Sequence, residues 1–365
     1  MARLDWCKLA ASAATIGLAA VAAYAAETVT HTYDARGRLV KVEHSGDINT
    51  GLQTEYQHDK ADNRTNVTVT GSAIWGTPGN DTPLNGTAGD DTIYALAGAD
   101  WLYVHQGGAD TVHGGDGADA FFFRTALTAA DTVDGGASND QLILQGNYPA
   151  FTFGASNLVS IASVALLSSQ DNRFGGGSGS PSVLFSYNLT LIDQNIPAGG
   201  SVTLDGAQLR AGEHLTLNAS AESNGRVTVA GGADTDTIVG SAGNDLLIGR
   251  GNADRLTGGS GADTYRFDAA THSSGAAYDT VVGFDHQADR IDLTVAVTSF
   301  GSTVASGQLS PASFDTDMEA AMSSLTAGQA RLFTPDQGGL AGRIFLIVDM
   351  NAAAGYQSGA DLVVE

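Results

Sequence analysis

The sequence predicts a mainly β protein in which short strands and tight glycine turns alternate in two separate arrays. The first observation is compositional: the 365 residues include 47 glycines but only 7 prolines, and 42% of the residues are apolar. A chain of this length and apolar content can bury a core, so the glycines meet a repeated backbone need rather than forming a flexible linker. The second observation is that aspartates recur every nine or ten residues in two stretches of the chain.

The first 25 residues have the pattern of a secretory signal peptide. Arg3 and Lys8 lie near the start, an apolar run covers residues 9–23, and Ala23-Tyr24-Ala25 has the small-x-small form of a cleavage site. The apolar run is shorter than the roughly 20 residues that span a bilayer as a helix, which makes a membrane anchor the less favoured alternative. We therefore exclude residues 1–25 from the fold and expect a secreted, extracellular chain with no membrane span in its mature part.

Charge and cysteine content both indicate a bound cation. The only cysteine, Cys7, lies within the signal segment, so the mature chain would contain no disulfide and would need another cross-link, such as a metal. Forty acidic residues against 17 basic ones give a net charge of -23. This charge disfavours nucleic acid as a partner, and it would oppose a compact state unless cations offset it. Calcium is the first candidate.

Residues 26–72 form a β segment of a different type. The stretches Tyr33 to Val42 and Tyr56 to Arg64 resemble the YD repeats of Rhs-type surface proteins, although the second has Gln57 in place of the aspartate and Asp62 in place of the usual glycine. Members of that family wind many repeats into a shell, and a stacked architecture needs about three repeats to be stable. Two copies therefore predict an accessory hairpin.

Residues 73–144 contain the first array. Five aspartates are separated by ten, nine, ten and nine residues, and a sixth follows after a spacer of residues 122–134. They are Asp81, Asp91, Asp100, Asp110, Asp119 and Asp140. Glycines precede these aspartates, and an apolar residue that would face the core stands two positions after each, except at Pro83 in the first unit. These apolar residues are Ile93, Leu102, Val112, Phe121 and Leu142.

Residues 230–294 contain the second array, in which the spacing is strictly nine residues. Its aspartates are Asp236, Asp245, Asp254 and Asp263, and the apolar residues that follow them are Ile238, Leu247, Leu256 and Tyr265. The six-residue turns need glycine because several of their residues adopt conformations that a β-carbon would strain. Asp234 and Asn252 stand where the turn has its fourth-position glycine, as does Ser138 in the first array, so we expect weaker binding in those turns.

Both arrays resemble the repeats-in-toxin (RTX) family, whose nonapeptide G-G-x-G-x-D-x-U-x is a calcium-binding repeat. The resemblance implies that two nonapeptides form one coil of a parallel β-roll, and that turns two repeats apart stack and share one ion. Calcium takes six or more oxygen ligands in a relaxed geometry, which suits it better than magnesium. The alternative is an ordinary β-solenoid with solvated aspartates. The implied pairs are Asp81 with Asp100, Asp91 with Asp110, Asp100 with Asp119, Asp236 with Asp254, and Asp245 with Asp263.

The remaining segments are predicted to be β-rich. The fold class is thus mainly β, with two parallel RTX-type β-rolls that flank residues 145–229 and are followed by residues 295–365. Residues 278–293 resemble the segment that closes such rolls, where Asp285, Asp289 and Asp292 are candidates for a further ion. A short helix is expected at residues 317–325, with Thr316 as its N-cap.

Signatures of catalysis are missing from the sequence. None of the eight histidines has a histidine partner at the H-E-x-x-H spacing of zinc proteases, and no G-x-S-x-G nucleophile elbow occurs. We therefore predict no catalytic residues and a secreted calcium-binding structural or surface-associated protein, with extracellular polysaccharide as a potential partner. The alternatives are a secreted hydrolase and a calcium-dependent glycan-binding adhesin, each with its site in residues 145–229.

Overall fold

The computed structural model describes residues 28–45, 53–58, 64–70, 73–175, 177, 180 and 182–365. The predicted signal peptide lies outside the described residues. Two compact units are present, residues 1–72 and residues 73–365. Among the described residues, no helix combines the length and the apolar character needed to cross a bilayer.

The first unit contains an antiparallel sheet of four strands in chain order: β1 (Thr28–Tyr33), β2 (Leu39–Ser45), β3 (Gln53–His58) and β4 (Arg64–Thr70). The turn between β1 and β2 is held by Asp34, whose carboxylate accepts the N–H groups of Arg36 and Arg38 at 2.9 and 3.0 Å and pairs with the Arg38 guanidinium. The first YD-like copy thus forms a hairpin turn. Part of the second copy lies outside the described residues.

Residues 73–293 form one parallel β-solenoid whose short strands alternate between two faces. The strands of the first array are β5 (Ala73–Trp75), β6 (Leu84–Asn85), β7 (Thr92–Tyr94), β8 (Trp101–Tyr103), β9 (Thr111–Asp116), β10 (Ala120–Phe123), β11 (Thr132–Ala137) and β12 (Asp140–Leu144). The next six are β13 (Tyr148–Thr152), β14 (Ile161–Leu166), β15 (Tyr187–Thr190), β16 (Ser201–Asp205), β17 (Leu215–Asn218) and β18 (Arg226–Ala230). The second array and its closing segment supply β19 (Thr237–Val239), β20 (Leu246–Ile248), β21 (Arg255–Thr257), β22 (Thr264–Phe267), β23 (Thr280–Val282) and β24 (Arg290–Leu293).

One sheet runs the whole length of the solenoid. The even-numbered strands β6 to β24 form a single ten-stranded parallel sheet, and the odd-numbered strands form a four-stranded sheet (β5 to β11) and a six-stranded sheet (β13 to β23). The parallel β-roll geometry expected for both arrays is therefore confirmed. The two rolls are also continuous with each other, because residues 145–229 supply strands to the same ten-stranded sheet.

The core of the solenoid is a column of inward-facing apolar side chains. The nine apolar residues that follow the aspartates by two positions are all 0% exposed. In the register, Leu102 pairs with Phe121 and Phe121 with Leu142, so equivalent residues of successive coils stack on one another. The inward orientation predicted for these positions is confirmed.

Replacement of Leu247 by alanine is expected to lower the free energy of unfolding by about 2–5 kcal/mol, because it opens a cavity in this column. The matched control is Leu246→Ala, since Leu246 is the adjacent, only partly buried residue of β20. Urea unfolding in calcium-containing buffer measures both variants. Equal losses in the two would contradict the assignment of the core face.

The C-terminal segment adds a small sheet and one helix. Its elements are β25 (Ser299–Phe300), α1 (Phe314–Ala321), β26 (Gln329–Phe333), β27 (Phe345–Val348) and β28 (Leu362–Val364), with 3-10 turns at Ala270–His272 and Pro311–Ser313. The helix begins at Phe314 rather than at residue 317, and its N-cap is Ser313, so the predicted cap Thr316 is wrong. Pro311 starts a 3-10 turn that leads directly into the helix, and Ser313 Oγ donates to Asp317 Oδ2 at 2.7 Å.

Candidate metal centre

The repeat aspartates form four vertical stacks at the turns that precede the strands. In each stack the backbone N–H of one aspartate donates to Oδ1 of the aspartate one coil later, at 2.7–2.9 Å. Stack A contains Asp81, Asp100, Asp119 and Asp140; stack B contains Asp91, Asp110 and Asp131; stack C contains Asp236, Asp254 and Asp279; and stack D contains Asp245, Asp263 and Asp289. The five pairs implied by the RTX resemblance are all stacked in this way.

Two members of these stacks, Asp131 and Asp279, were not among the candidates that the sequence indicated, whereas Asp289 was a candidate of the closing segment. None of the three lies in one of the nonapeptide units. The signal that could have found them is the aspartate followed two positions later by an apolar residue. Of the other two candidates in the closing segment, Asp292 pairs with Arg266 at 2.7 Å, and Asp285 lies on an exposed turn where its N–H donates to Asp289 Oδ2.

In some turns the aspartate side chain accepts a hydrogen bond from the backbone of its own turn. In these closed turns a backbone N–H that lies four residues earlier donates to Oδ2 at 2.5–2.8 Å. The donors and acceptors are Thr77 to Asp81, Thr87 to Asp91, Gly232 to Asp236, Ser241 to Asp245, and Asp285 to Asp289. Thr128, three residues before Asp131, makes the same bond at 2.6 Å. The carboxylate in a closed turn is therefore satisfied by protein donors.

Other turns leave the second carboxylate oxygen without a donor. Among the stacked aspartates, six Oδ2 atoms are buried and have no hydrogen-bond partner within the described part of the chain: those of Asp100, Asp119, Asp140, Asp254, Asp263 and Asp279. In each of these open turns the residue four positions earlier has a left-handed φ between 57° and 111°. These residues are Leu96, Gly115, Gly136, Arg250, Gly259 and Gly275. The backbone conformation at one position thus separates the open turns from the closed ones.

The open turns fit calcium. A buried anionic oxygen without a partner is costly, and a hard cation such as calcium binds carboxylate and carbonyl oxygens. The space beside Oδ2 is kept by the first glycine of the turn, since a β-carbon on Gly258 would overlap Asp263 Oδ2. Among the described residues, no three His, Cys, Asp or Glu side chains gather into a metal-binding group. Backbone carbonyls such as that of Gly243, which lies against Gly261 of the next coil, are the other oxygens at these turns.

Burial also raises the pKa values of the stacked carboxyl groups. Desolvation raises the pKa of Asp119 and Asp263 to about 6 and that of Asp254 to about 8. It likewise raises the pKa of Asp110 and Asp236 to about 6. Neighbouring aspartates of the same stack add to the effect, as Asp236 does for Asp254. Without a cation, the Asp254 carboxyl group would therefore hold its proton at neutral pH, while Asp119 and Asp263 would lose theirs at about pH 6.

The stability of the metal-free protein should accordingly fall as the pH rises from about 5 to 8.5. A carboxyl group whose folded-state pKa is raised favours the folded state while it is protonated, and this contribution is lost as the pH passes through about 6 to 8. Protons and calcium compete for the same oxygens, so the calcium-induced increase in melting temperature should be larger at pH 8.5. Melting curves in chelator and in calcium at both pH values measure this. A metal-free melting temperature that increases towards pH 8.5 would contradict the argument.

The coils between the two arrays lack stacked aspartates. Leu215 and Val227 occupy the equivalent positions, and their N–H groups donate to Oδ1 of Asp236 and Asp245 at 2.7 Å. The two fully buried glutamates of this region bind loop backbone: Glu213 accepts the Ser169 N–H, and Glu222 accepts the Gly225 N–H, both at 2.8 Å. Their observed hydrogen bonds therefore serve to close loops.

Two family models match parts of the chain. The model described as RTX calcium-binding nonapeptide repeat (4 copies) matches residues 75–107, 106–123 and 125–146. The model described as Peptidase M10 serralysin C terminal matches residues 185–316, which include the second array. A search of curated proteins found no match. The chain therefore carries RTX calcium-binding nonapeptide repeats folded as a parallel β-roll, and calcium is the ion that these repeats bind.

Proposed function

We propose that this protein is a secreted structural or surface-associated protein whose β-roll folds when it binds extracellular calcium. The observation that supports the proposal best is the set of six buried Oδ2 atoms without a hydrogen-bond partner. A fold that buries six such oxygens is incomplete without cations. Asp100, Asp119, Asp140, Asp254, Asp263 and Asp279 would hold calcium directly, together with turn carbonyls.

The remaining repeat aspartates would act differently. Asp81, Asp91, Asp236 and Asp245 lie in closed turns, where their carboxylates bind their own backbone and start each stack. Asp110 receives the Asp91 N–H at 2.9 Å and so continues stack B. We assign to these five residues the role of holding each turn against the next coil.

The mechanism couples metal binding to folding. Stacked carboxylates one coil apart repel each other, and bound calcium offsets both this repulsion and the cost of their burial. The free energy of calcium binding thereby becomes free energy of folding. Calcium sites of extracellular modules have dissociation constants of about 0.1–1 mM, so the low calcium inside a cell would leave the chain unfolded for export.

The proposal is tested by producing the full chain in a bacterial host and analysing the medium, with calcium or with chelator added. We expect the chain in the medium without residues 1–25, as measured by mass spectrometry, and resistant to trypsin only when calcium is present. Retention inside the cell with residues 1–25 intact would contradict secretion. Equal trypsin resistance in chelator would contradict calcium-dependent folding.

A further inference from the structure

A groove of about 490 Å³ crosses the outer face of the ten-stranded sheet at the second array. It extends over β18, β20, β22 and β24, and we call it the arginine groove. Arg226, Arg266 and Arg290 line it, together with Thr228 and Asn244. Three of the chain's 17 basic residues thus meet in one groove of a protein whose net charge is -23.

Two of these arginines are available to a ligand. Arg226 and Arg290 are exposed, and neither forms an ion pair with any carboxylate in the part of the chain that the structure describes. Arg266 is paired with Asp292 at 2.7 Å, which fixes its guanidinium at the third corner of the groove. Guanidinium groups bind carboxylates and sulfates through paired, charge-assisted hydrogen bonds.

The spacing of the arginines indicates an extended ligand. Thr228 pairs with Leu246, Leu246 with Thr264, and Thr264 with Arg290, so three strand intervals separate the ends of the groove. At about 4.8 Å per interval this separation is about 14 Å. Two exposed guanidinium groups on strands this far apart suit a chain molecule with repeated negative charges.

Whether stack D holds calcium affects the electrostatic potential in the groove. Asp245 lines the groove and accepts the Ser241 N–H at 2.6 Å. Its N–H donates to Asp263 of the next coil at 2.9 Å, and Asp263 Oδ2 has no hydrogen-bond partner among the described residues. Calcium at this stack would offset these negative charges next to the three arginines. This step rests on the proposed function, because it assumes that stack D is loaded with calcium.

We infer that the arginine groove binds an anionic polysaccharide when the roll is loaded with calcium. The threonine and asparagine side chains beside the arginines can bind sugar hydroxyl groups, and the arginines supply sites for carboxylate or sulfate. Double-stranded nucleic acid carries a charge about every 1.7 Å and is opposed by the chain's overall negative charge. A polysaccharide with sparser charges matches the separation of Arg226 and Arg290 better.

The test uses the full chain in saturating calcium and three polymers with one backbone: neutral dextran, carboxymethyl dextran and dextran sulfate. We expect at least one anionic polymer to bind, neutral dextran not to bind, and the double variant Arg226→Gln/Arg290→Gln to bind about tenfold more weakly. The control is Arg255→Gln, which removes one exposed positive charge from β21 on the opposite face and should bind as the parent does. Whichever anionic polymer binds identifies carboxylate or sulfate as the ligand group.

Melting curves in calcium and in chelator accompany the binding assay, so that failure of the roll to fold is separated from failure of the groove to bind. If the folded, calcium-loaded chain binds neither anionic polymer, or if the double variant binds them as the parent does, the inference is overturned. Duplex DNA bound with the same loss in the double variant would also overturn the assignment to polysaccharide.

Discussion

Removal of calcium at pH 8 is expected to abolish most of the β signal of the solenoid. Each ion that binds only the folded state contributes about 2.7 kcal/mol when its concentration is 100 times its dissociation constant. Whole domains are stable by only about 5–15 kcal/mol, so the loss of several ions from the open turns would exceed the free energy of unfolding of an ordinary domain. Far-ultraviolet circular dichroism, followed from zero to about 10 mM calcium, measures the transition.

Two controls make this result specific. Magnesium at the same concentration should restore little of the signal, because it requires a tight octahedron and retains its waters. Sodium chloride at matched ionic strength should also restore little, because screening does not supply ligands to the buried Oδ2 atoms. A β content that stays constant from zero to 10 mM calcium would contradict calcium-coupled folding.

The spacing of the aspartates, read with the RTX resemblance, predicted the five stacked pairs but not the stack members Asp131 and Asp279. A nine-residue period places each repeat aspartate at the equivalent position of its turn, so that aspartates two repeats apart lie above one another. The apolar residue two positions after each aspartate then faces inward, as Leu247 and Leu256 do. The spacing did not reveal that the two arrays share one sheet. Residues 145–229 complete the same coils with apolar residues such as Leu215 and Val227 in place of aspartate, so no period marks their continuity.

The difference between open and closed turns could not be predicted from residue types. It depends on whether the residue four positions before the aspartate is left-handed, and at Leu96 and Arg250 that residue is not glycine, with φ of 82° and 79°. Such conformations are strained for residues with a β-carbon and are maintained only by their surroundings. Stacking on the neighbouring coils, a long-range effect, therefore fixes the local geometry of the calcium turns.

The turns expected to bind weakly also differ from one another. Ser138 and Asn252 adopt the left-handed conformation that glycine would have, with φ of 97° and 70°. Asp234 does not replace glycine in this way: its carboxylate accepts the Gly212 N–H at 2.5 Å, a bond to the previous coil. The Asn252 side chain also reaches the previous coil, where Nδ2 donates to the Ala233 carbonyl at 3.3 Å. The three substitutions are alike in sequence, but Asp234 alone among them lacks the left-handed φ.

Asparagine substitutions should distinguish the open turns from the closed ones by opposite effects in chelator. In Asp254→Asn, an open turn, the amide oxygen can keep the bond from the Asp236 N–H, and the unpaired buried charge disappears. We expect the metal-free protein to gain about 1–3 kcal/mol in its free energy of unfolding at pH 8.5. The calcium-induced increment should shrink by about 2.7 kcal/mol or more, because a ligand oxygen has been lost.

The matched closed-turn variant is Asp236→Asn in the same stack. Asp236 accepts the Leu215 N–H on one oxygen and the Gly232 N–H on the other. In asparagine, one of these oxygens is replaced by an NH2 group, which would face a backbone N–H and could not accept its hydrogen bond. Stability should therefore fall by about 1–3 kcal/mol in chelator as well as in calcium. Thermal melting of both variants in chelator and in calcium measures the four stabilities. A change of the metal-free stability in the same direction in both variants would contradict the argument. The φ angle of the residue four positions before each aspartate would then not determine which carboxylates are free to bind calcium.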